Sequence, residues 1–552
     1  MVYAIYDTTG IQSYIFASTK LKENVGASEL VGQVFNDYLP EALEKAFTKA
    51  EVITDWKNQT ARTAHWTPTK TAEIIYVGGG NAYVAYKSVR AYEEATGVLL
   101  RRVYDETATI GIASAYIETD FTTGYVNQHN ALMQALVQAK GEINRPITTG
   151  SQPITKTSLL TGLPVTHLQD NEQISQDQYL KRNAKKRNAN EEGPETFDDL
   201  KRGNTSFLGV LHIDGNNVGR HIESYMETSD NWKAAVPKIR EMSYRISKLY
   251  KKAYEITRQN FEEFYKSPRN KQHYDKGDLP LLKLIDDGDD ITCVLTGLWS
   301  ISFAAQLLRE IEAQGKNADL YPFKDWPECE TKPHVSACAG VVIFHSHYPF
   351  SEAYRMAEEC CKNAKRYTRD ADKHTNGIAG SFIDFHIHHG GAVTDLKSLR
   401  RALFHTGDEY EDALTHSPFF VLNPSVTDAD TIKLFKDKYP SFCDFDNLVR
   451  SWARQDKDTP GENRPDKDTA TGKPWPRSRL KALRDAIASG EDEVQKILDW
   501  CEARGYVLPP GYIACTAADD IAEGHQLNKY ALLFSVLEFA DIYENISEGV
   551  EE

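Results

Sequence analysis

The sequence predicts an α+β protein made of a duplicated unit, with a helical region behind it. Three observations carry this. A strand ending in aspartate appears twice, in YAIYDTTG (3–10) and in FLGVLHIDGNNVG (207–219). A glycine-bearing hairpin follows each, with GGGN at Gly78–Asn81 and DGDD at Asp287–Asp290. A further strand and a helix ending in Ala-Lys close each unit, at Lys140 and at Lys365. The spacing repeats too: Asp7 to Gly80 is 73 positions and Asp214 to Asp289 is 75. Four elements in one order at one spacing indicate internal duplication.

The elements follow in order. Residues 11–43 carry apolar side chains at helical spacing. EIIYVGGGNAYVAY (73–86) has two apolar, β-rich arms around a Gly-rich turn and predicts a hairpin. TIGIASAYI (109–117) predicts a buried strand and 127–143 a helix, completing a first domain over 1–145. Residues 146–205 are rich in Thr, Pro, Asn and charge and predict a connector with some local structure. A second domain, 206–395, runs through a strand and turn (207–219), a helix (231–268), the hairpin LIDDGDDITCVL (284–295), a helix (297–314), a strand (334–344) and a helix (351–367). In 396–552, SRLKALRDAIASGEDEVQKILDWCEARG and NKYALLFSVLEFADIYENI have helical periodicity and predict a small bundle. DKDTPGENRPDKDTATGKPWPRS (456–478) predicts a flexible loop.

Composition narrows the function classes. The 552 residues exceed what one core can hold. No apolar run approaches the ~20 residues of a spanning helix, and MVYAIYDTTG lacks the basic start and apolar core of a signal peptide. Cysteines 293, 328, 338, 360, 361, 443, 501 and 515 form no CxxC pair, so free thiols in a reducing cytoplasm are expected. A net charge of −16 argues against a broad nucleic-acid-binding surface. The basic cluster KRNAKKR (181–187) reads as a solvated loop.

LIDDGDDITCVL places four acids within five positions, Asp286 to Asp290, between apolar arms. Such crowding costs several kcal/mol unless a cation is present. A divalent ion is the natural partner. Nucleotidyl transfer uses two such ions about 3.5–4 Å apart, and Mg²⁺ (or Mn²⁺) takes carboxylate oxygens, waters and phosphates. Asp214 at one strand end, with Asp289 and Asp290 at a neighbouring turn, are therefore the candidate catalytic and metal-ligating residues. Gly288 permits positive φ and a close approach of triphosphate. Gly215, Asn216, Asn217 and Gly219 form a turn whose amides can face phosphate oxygens, and Lys365 with Arg366 can neutralise the triphosphate. Alone, DGNNVG or DGDD is an ordinary turn; together, in this order, they favour a metal–nucleotide site. GGGN offers no carboxylate beside Asp7. Gly78, Gly79, Gly80 and Asn81 either seat a nucleotide on backbone amides or simply make a tight turn. Strand alternation points Asp286 away from Asp287, towards solvent.

On GIQSYIFASTKLKENVGASELV (10–31), HIDGNNVG, the GGDD-like DGDD, and VSACAGVV with the AEECCKNAK helix, the chain resembles the large palm-domain subunit of type III CRISPR effector complexes. That family is related to GGDEF diguanylate cyclases and adenylyl cyclases. The resemblance covers roughly 1–395. It implies two tandem ferredoxin-like palm domains of nucleotidyl cyclase type, the second catalytic, joining ATP into cyclic oligoadenylates for antiviral defence with Mg²⁺ as cofactor. Implied partners are ATP or other NTPs and other CRISPR subunits or RNA, with no membrane. Asp214, Asp289, Asp290 and Gly288 match the family's acids and second glycine, whereas Asp287 stands in place of the first glycine. The family's frequent N-terminal HD nuclease and inter-palm cysteines have no counterpart here, so a compact, stand-alone relative is expected. The competing readings are a scaffold subunit with idle acids and a template-using polymerase.

Overall fold

The structure, a computed structural model, describes residues 1–63, 66–122, 124–142, 154–184, 194–203, 205–227, 229, 231–268, 270, 278–324, 326, 332–374, 378–391, 395–404, 414, 417–453, 475–506 and 530–546. Two sheets organise them. The first comprises β1 (Val2–Thr9), β2 (Val52–Ile53), β3 (Ala72–Gly78), β4 (Asn81–Tyr86) and β5 (Gly111–Glu118), in the order β2-β3-β4-β1-β5. A small hairpin, β6 (Val165–Gln169) and β7 (Glu172–Ser175), lies between the sheets in sequence. The second sheet comprises β8 (Phe207–Gly215), β9 (Leu281–Asp287), β10 (Asp290–Thr296), β11 (Ala337–His345), β12 (Ser381–His388) and β13 (Phe419–Val421), in the order β13-β12-β11-β8-β10-β9. Both contain the same antiparallel core: hairpin, first strand, fourth strand. This is the ferredoxin-like order, and the duplication read from the spacing is a structural one.

The helices complete each unit. The first has α1 (Ile11–Ile15), α2 (Leu21–Gln33), α3 (Leu39–Ala46), α4 (Gln59–Thr63), α5 (Val89–Thr107) and α6 (Tyr125–Glu142). The single amphipathic run expected over 11–43 is thus broken, with a π turn at Val34–Tyr38 between α2 and α3. In the connector, α7 (Gln176–Arg182) docks on α2, where a Cβ at Gly26 would meet the Lys181 carbonyl at 1.6 Å. The KRNAKKR cluster is accordingly not a solvated loop at its start. Lys181 is buried against Asp177 at 2.9 Å, and Arg182 bonds Glu23 and Glu172, each at 2.7 Å; residues 185–187 lie outside the described residues.

The second unit has α8 (Val218–Glu227), α9 (Trp232–Lys266), α10 (Gly297–Lys316) and α11 (Phe350–His374). Beyond it come α12 (Leu396–Phe404), α13 (Ala429–Lys436), α14 (Phe442–Ala453), α15 (Arg477–Ser489), α16 (Glu491–Glu502) and α17 (Ala531–Phe539). This last region is largely helical as expected, but β13 joins the second sheet beside β12. Residues 456–474 of the expected flexible loop lie outside the described residues. Among the described residues, no helix is long and apolar enough to cross a membrane.

The two large cores each draw on both units. One joins Tyr3, Ile75 and Tyr83 to Trp232 and Ile239 of α9; the other joins Tyr14 and Leu30 to Leu284, Ile285 and Tyr354. The units therefore exchange helices across a pseudo-two-fold. The hairpins show it directly. Each carries a bulge three residues before its turn, at Ile75 and at Leu284. Arg240 of α9 donates through Nε to the Ile75 carbonyl at 2.7 Å, while Ser28 of α2 donates to the Leu284 carbonyl.

Close packing of α11 on the second sheet depends on Gly340. A Cβ there would lie 1.9 Å from the Ala357 carbonyl and 2.4 Å from the Cys361 nitrogen. Gly340→Ala is expected to cost about 1–3 kcal/mol, read as a fall in the urea midpoint at unchanged slope. A midpoint equal to wild type would contradict this packing.

Candidate functional site

β8 and β10 run antiparallel with Ile213 opposite Ile291 and His212 opposite Thr292. One step beyond the ladder, Asp214 and Asp290 come together on the face shared by His212 and Thr292. That face is covered by α11, which supplies Lys365. Its Nζ lies 2.6 Å from Asp214 Oδ2 and donates to the Gly215 carbonyl at 2.9 Å. Burial pulls the Lys365 pKa down, but Asp214 more than offsets it, so the ammonium is held above its ordinary range. His212 Nδ1 lies 3.3 Å from Asp290 Oδ1 and 3.3 Å from Thr292 Oγ1. Burial opposes its protonation, and Asp290, Asp214 and Glu358 together outweigh burial.

Asp289 turns towards Tyr250 of α9. A Cβ at Gly215 would lie 2.6 Å from the Tyr250 hydroxyl and 2.7 Å from Asp289 Oδ2, so only glycine lets the turn close over the strand end. The Tyr250 hydroxyl is buried without a hydrogen-bond partner. Burial, and then Asp214, push the Asp289 carboxyl up to about 7. Burial, and then Asp290, push Asp287 to about 6. This is the crowding that DGDD foretold.

These groups suit magnesium in kind: hard carboxylate oxygens, an unpartnered buried hydroxyl, and an acid whose ionisation is suppressed by burial and then by its neighbour. They form no ready cage. Among the described residues, no three His, Cys, Asp or Glu side chains are gathered closely enough to hold an ion. The arrangement fits an ion held by Asp214 and Asp289 that completes its shell with water and phosphate oxygens.

The remaining residues divide. Gly288 takes φ +66°, and Gly79 and Gly80 take +60° and +71°, as tight two-residue turns require. Asn217 has φ +55° and an unpartnered buried Nδ2, and Gly219 faces open space in the first turn of α8. Asn216 is structural instead: its Nδ2 donates to Ser336 Oγ and the Gly380 carbonyl, each at 2.9 Å. Arg366 is exposed, and no contact places it at the acids. Asp286 is exposed as expected and accepts from Lys283 at 2.7 Å. The first unit repeats the second's ion pair, with Lys140 Nζ 2.9 Å from Asp7 Oδ1. Gly78 packs beside Ser243, with 3.2 Å from a built Cβ to its Oγ, and Asn81 folds back to donate to the Gly79 carbonyl at 3.0 Å. His212 and Tyr250 gave no sequence signal as site residues.

With this geometry established, the comparison with known proteins is specific. Residues 207–372 match the family model of the Cas10/Cmr2 second palm domain. That segment is similar to the second palm domain of Cas10/Cmr2. The match begins with β8 and ends within α11, so Asp214, the DGDD turn and Lys365 all lie inside the palm. No curated protein matches the chain in sequence. Among solved structures, a Csm1–Csm4 cassette in complex with cA4 matches at TM-score 0.49 and 14% identity, covering 98% of this chain and 69% of that one. A Csm1–Csm4 cassette in complex with AMPPNP matches at 0.48 and 13%, over 99% and 69%. A Csm1–Csm4 subcomplex of the type III-A CRISPR-Csm interference complex matches at 0.48 and 14%, over 98% and 69%.

The palm's acids make stability depend on pH. The Asp289 value of about 7 lies above the unfolded value of about 3.9. Its contribution is therefore full below about pH 4 and is lost as pH rises through about 7. Glu312 at about 8 and Glu538 at about 7, both raised by burial, add to the same slope. Asp289→Asn isolates one share. In EDTA, this variant is expected to be more stable than wild type at pH 8 and equal to it only below about pH 4, by urea denaturation. An equal difference at both pH values would contradict the assignment.

Proposed function

We propose that the chain is a metal-dependent nucleotidyl cyclase that joins nucleoside triphosphates, ATP foremost, into a cyclic di- or oligonucleotide messenger of CRISPR-type defence. The observation that supports this most is the convergence of Asp214, Asp289 and Lys365 at one strand end of a Cas10/Cmr2-type palm. Asp214 and Asp289 would hold magnesium, with Asp290 beside them. Bound there, the ion supplies charge neutralisation at the attacked phosphate and activation of the attacking hydroxyl.

The chain's own residues do the rest. Lys365, fixed by the Gly215 carbonyl, brings a positive charge to the phosphates as it leaves Asp214. Gly288 leaves room for the triphosphate against the backbone, and Gly215 lets the Asp289 turn close over the strand end. His212, with Nδ1 3.3 Å from Asp290 Oδ1, orients that carboxylate. The first palm would present the second nucleotide across the pseudo-two-fold, on the Gly79–Gly80 turn, with its ribose hydroxyl towards the acids. Other subunits of a CRISPR complex, or RNA, are proposed partners.

The reading that the palm is an idle scaffold is favoured by the ion pair between Lys365 and Asp214 and by the lack of a ready three-ligand cage among the described residues. Mass spectrometry after incubation with the four NTPs and Mg²⁺ or Mn²⁺ separates the two. A cyclic product from wild type and none from Asp289→Ala/Asp290→Ala supports the cyclase. No product from either supports the scaffold, and a linear product whose length follows an added template supports a polymerase.

A further inference from the structure

The two hairpin turns meet tip to tip: a Cβ at Gly288 would lie 3.9 Å from the Gly79 nitrogen. The first pair of each hairpin is Gly78 with Asn81 and Asp287 with Asp290, so Gly78 and Asp287 occupy equivalent places. They behave differently. The Asp287 carboxylate lies against the Gly79–Gly80 turn of the opposite hairpin, facing its backbone amides. A Cβ at Gly80 would sit 3.7 Å from Asp287 Oδ2. Gly78 has no side chain and makes no reciprocal contact with the Gly288–Asp289 turn. The pseudo-two-fold is therefore broken at one position. One turn is capped by a carboxylate and the other is left open.

Consecutive amides in a positive-φ turn form an anion seat that accepts carboxylate and phosphate oxygens alike. A phosphate approaching Gly79 and Gly80 meets both an occupied seat and a like charge. We propose that Asp287 is a built-in occupant of the first palm's phosphate seat, limiting the resting chain to one open nucleotide site. This rests on the nucleotide reading above and adds an order to it. The second palm takes the first triphosphate, and the first palm receives one only when Asp287 swings out of the Gly79–Gly80 turn.

Removing the side chain tests this. Calorimetric titration of the full chain with a non-hydrolysable ATP analogue and Mg²⁺ is expected to give one site in wild type and two in Asp287→Gly. Asp287→Ala serves as a second variant should glycine loosen the hairpin. The gained site should bind at least about tenfold more tightly than any second site in wild type, because a like charge has been removed. Adding Gly79→Val to Asp287→Gly should return the count to one. Two equal sites in wild type, or one site in both Asp287 variants, would overturn the proposal while leaving nucleotide binding intact. No binding in any variant would overturn the nucleotide reading with it.

Discussion

An Asp289→Asn variant is expected to lose cyclic product by about 10³-fold, the scale on which a group stabilising transition-state charge acts. Asparagine keeps the shape and can still lie beside Gly215 and Tyr250, but it carries no charge for an ion. The fold should survive, because the raised Asp289 pKa shows that its charge opposes folding rather than supports it. Asp214→Asn should fall as far, and it also releases Lys365, whose other bond is to the Gly215 carbonyl. The double variant should be no worse than either single one, since groups that act as a unit are not additive. Quantifying product against time for the three variants checks this. Activity within tenfold of wild type in Asp289→Asn would remove Asp289 from the reaction.

The second large effect concerns the join between the palms. Arg240 is 2% exposed and spends its donors on the first palm. Its guanidinium bonds the carbonyls of Ala61, Ile74 and Ile75 at 3.1, 2.7 and 2.7 Å and the Glu73 carboxylate at 2.9 Å. Arg240→Met leaves a buried carboxylate unpaired and those carbonyls without this donor. A cost of about 3–5 kcal/mol is expected. Glu73→Gln in the same chain should recover part of it, and Arg240→Lys should fall between, since an ammonium lacks the planar fork. Urea denaturation of the four proteins gives the values. A cost under about 1 kcal/mol in Arg240→Met would show that the palms do not depend on this residue.

Much of the site was legible because strand-ending acids, glycine turns and Ala-Lys helices leave marks at fixed spacing. Asp214, Asp289 and Lys365 meet as the repeat requires, and the Asp7–Lys140 pair repeats that ion pair at the equivalent place. The helix Val89–Thr107 was missed, although Ala91, Ala95, Leu99 and Val103 stand four apart and are buried, because its many charges masked the stripe. Strand Ser381–His388 was hidden for another reason. Its Asp and His residues break the apolar pattern of a buried strand, yet Asp384 is fully buried with Arg400, which bonds both its oxygens at 2.8 Å. Asn216 looked like a phosphate-facing residue because turn chemistry and anion-binding chemistry use the same residue types. Arg240 gave no signal, being one of many charges on a long polar helix. The contact between Asp287 and the Gly79–Gly80 turn is purely tertiary. Nothing within either hairpin announces the other.

The central claim is that Asp214 and Asp289 share a divalent ion with a nucleotide's phosphates in the second palm. Anomalous diffraction from crystals of the full chain grown with Mn²⁺ and a non-hydrolysable ATP analogue tests it most directly. The expected result is a manganese peak between the two carboxylates, with phosphate density beside Gly288 and Lys365 moved off Asp214. An analogue bound with no manganese at those carboxylates, or manganese only elsewhere, would contradict the account.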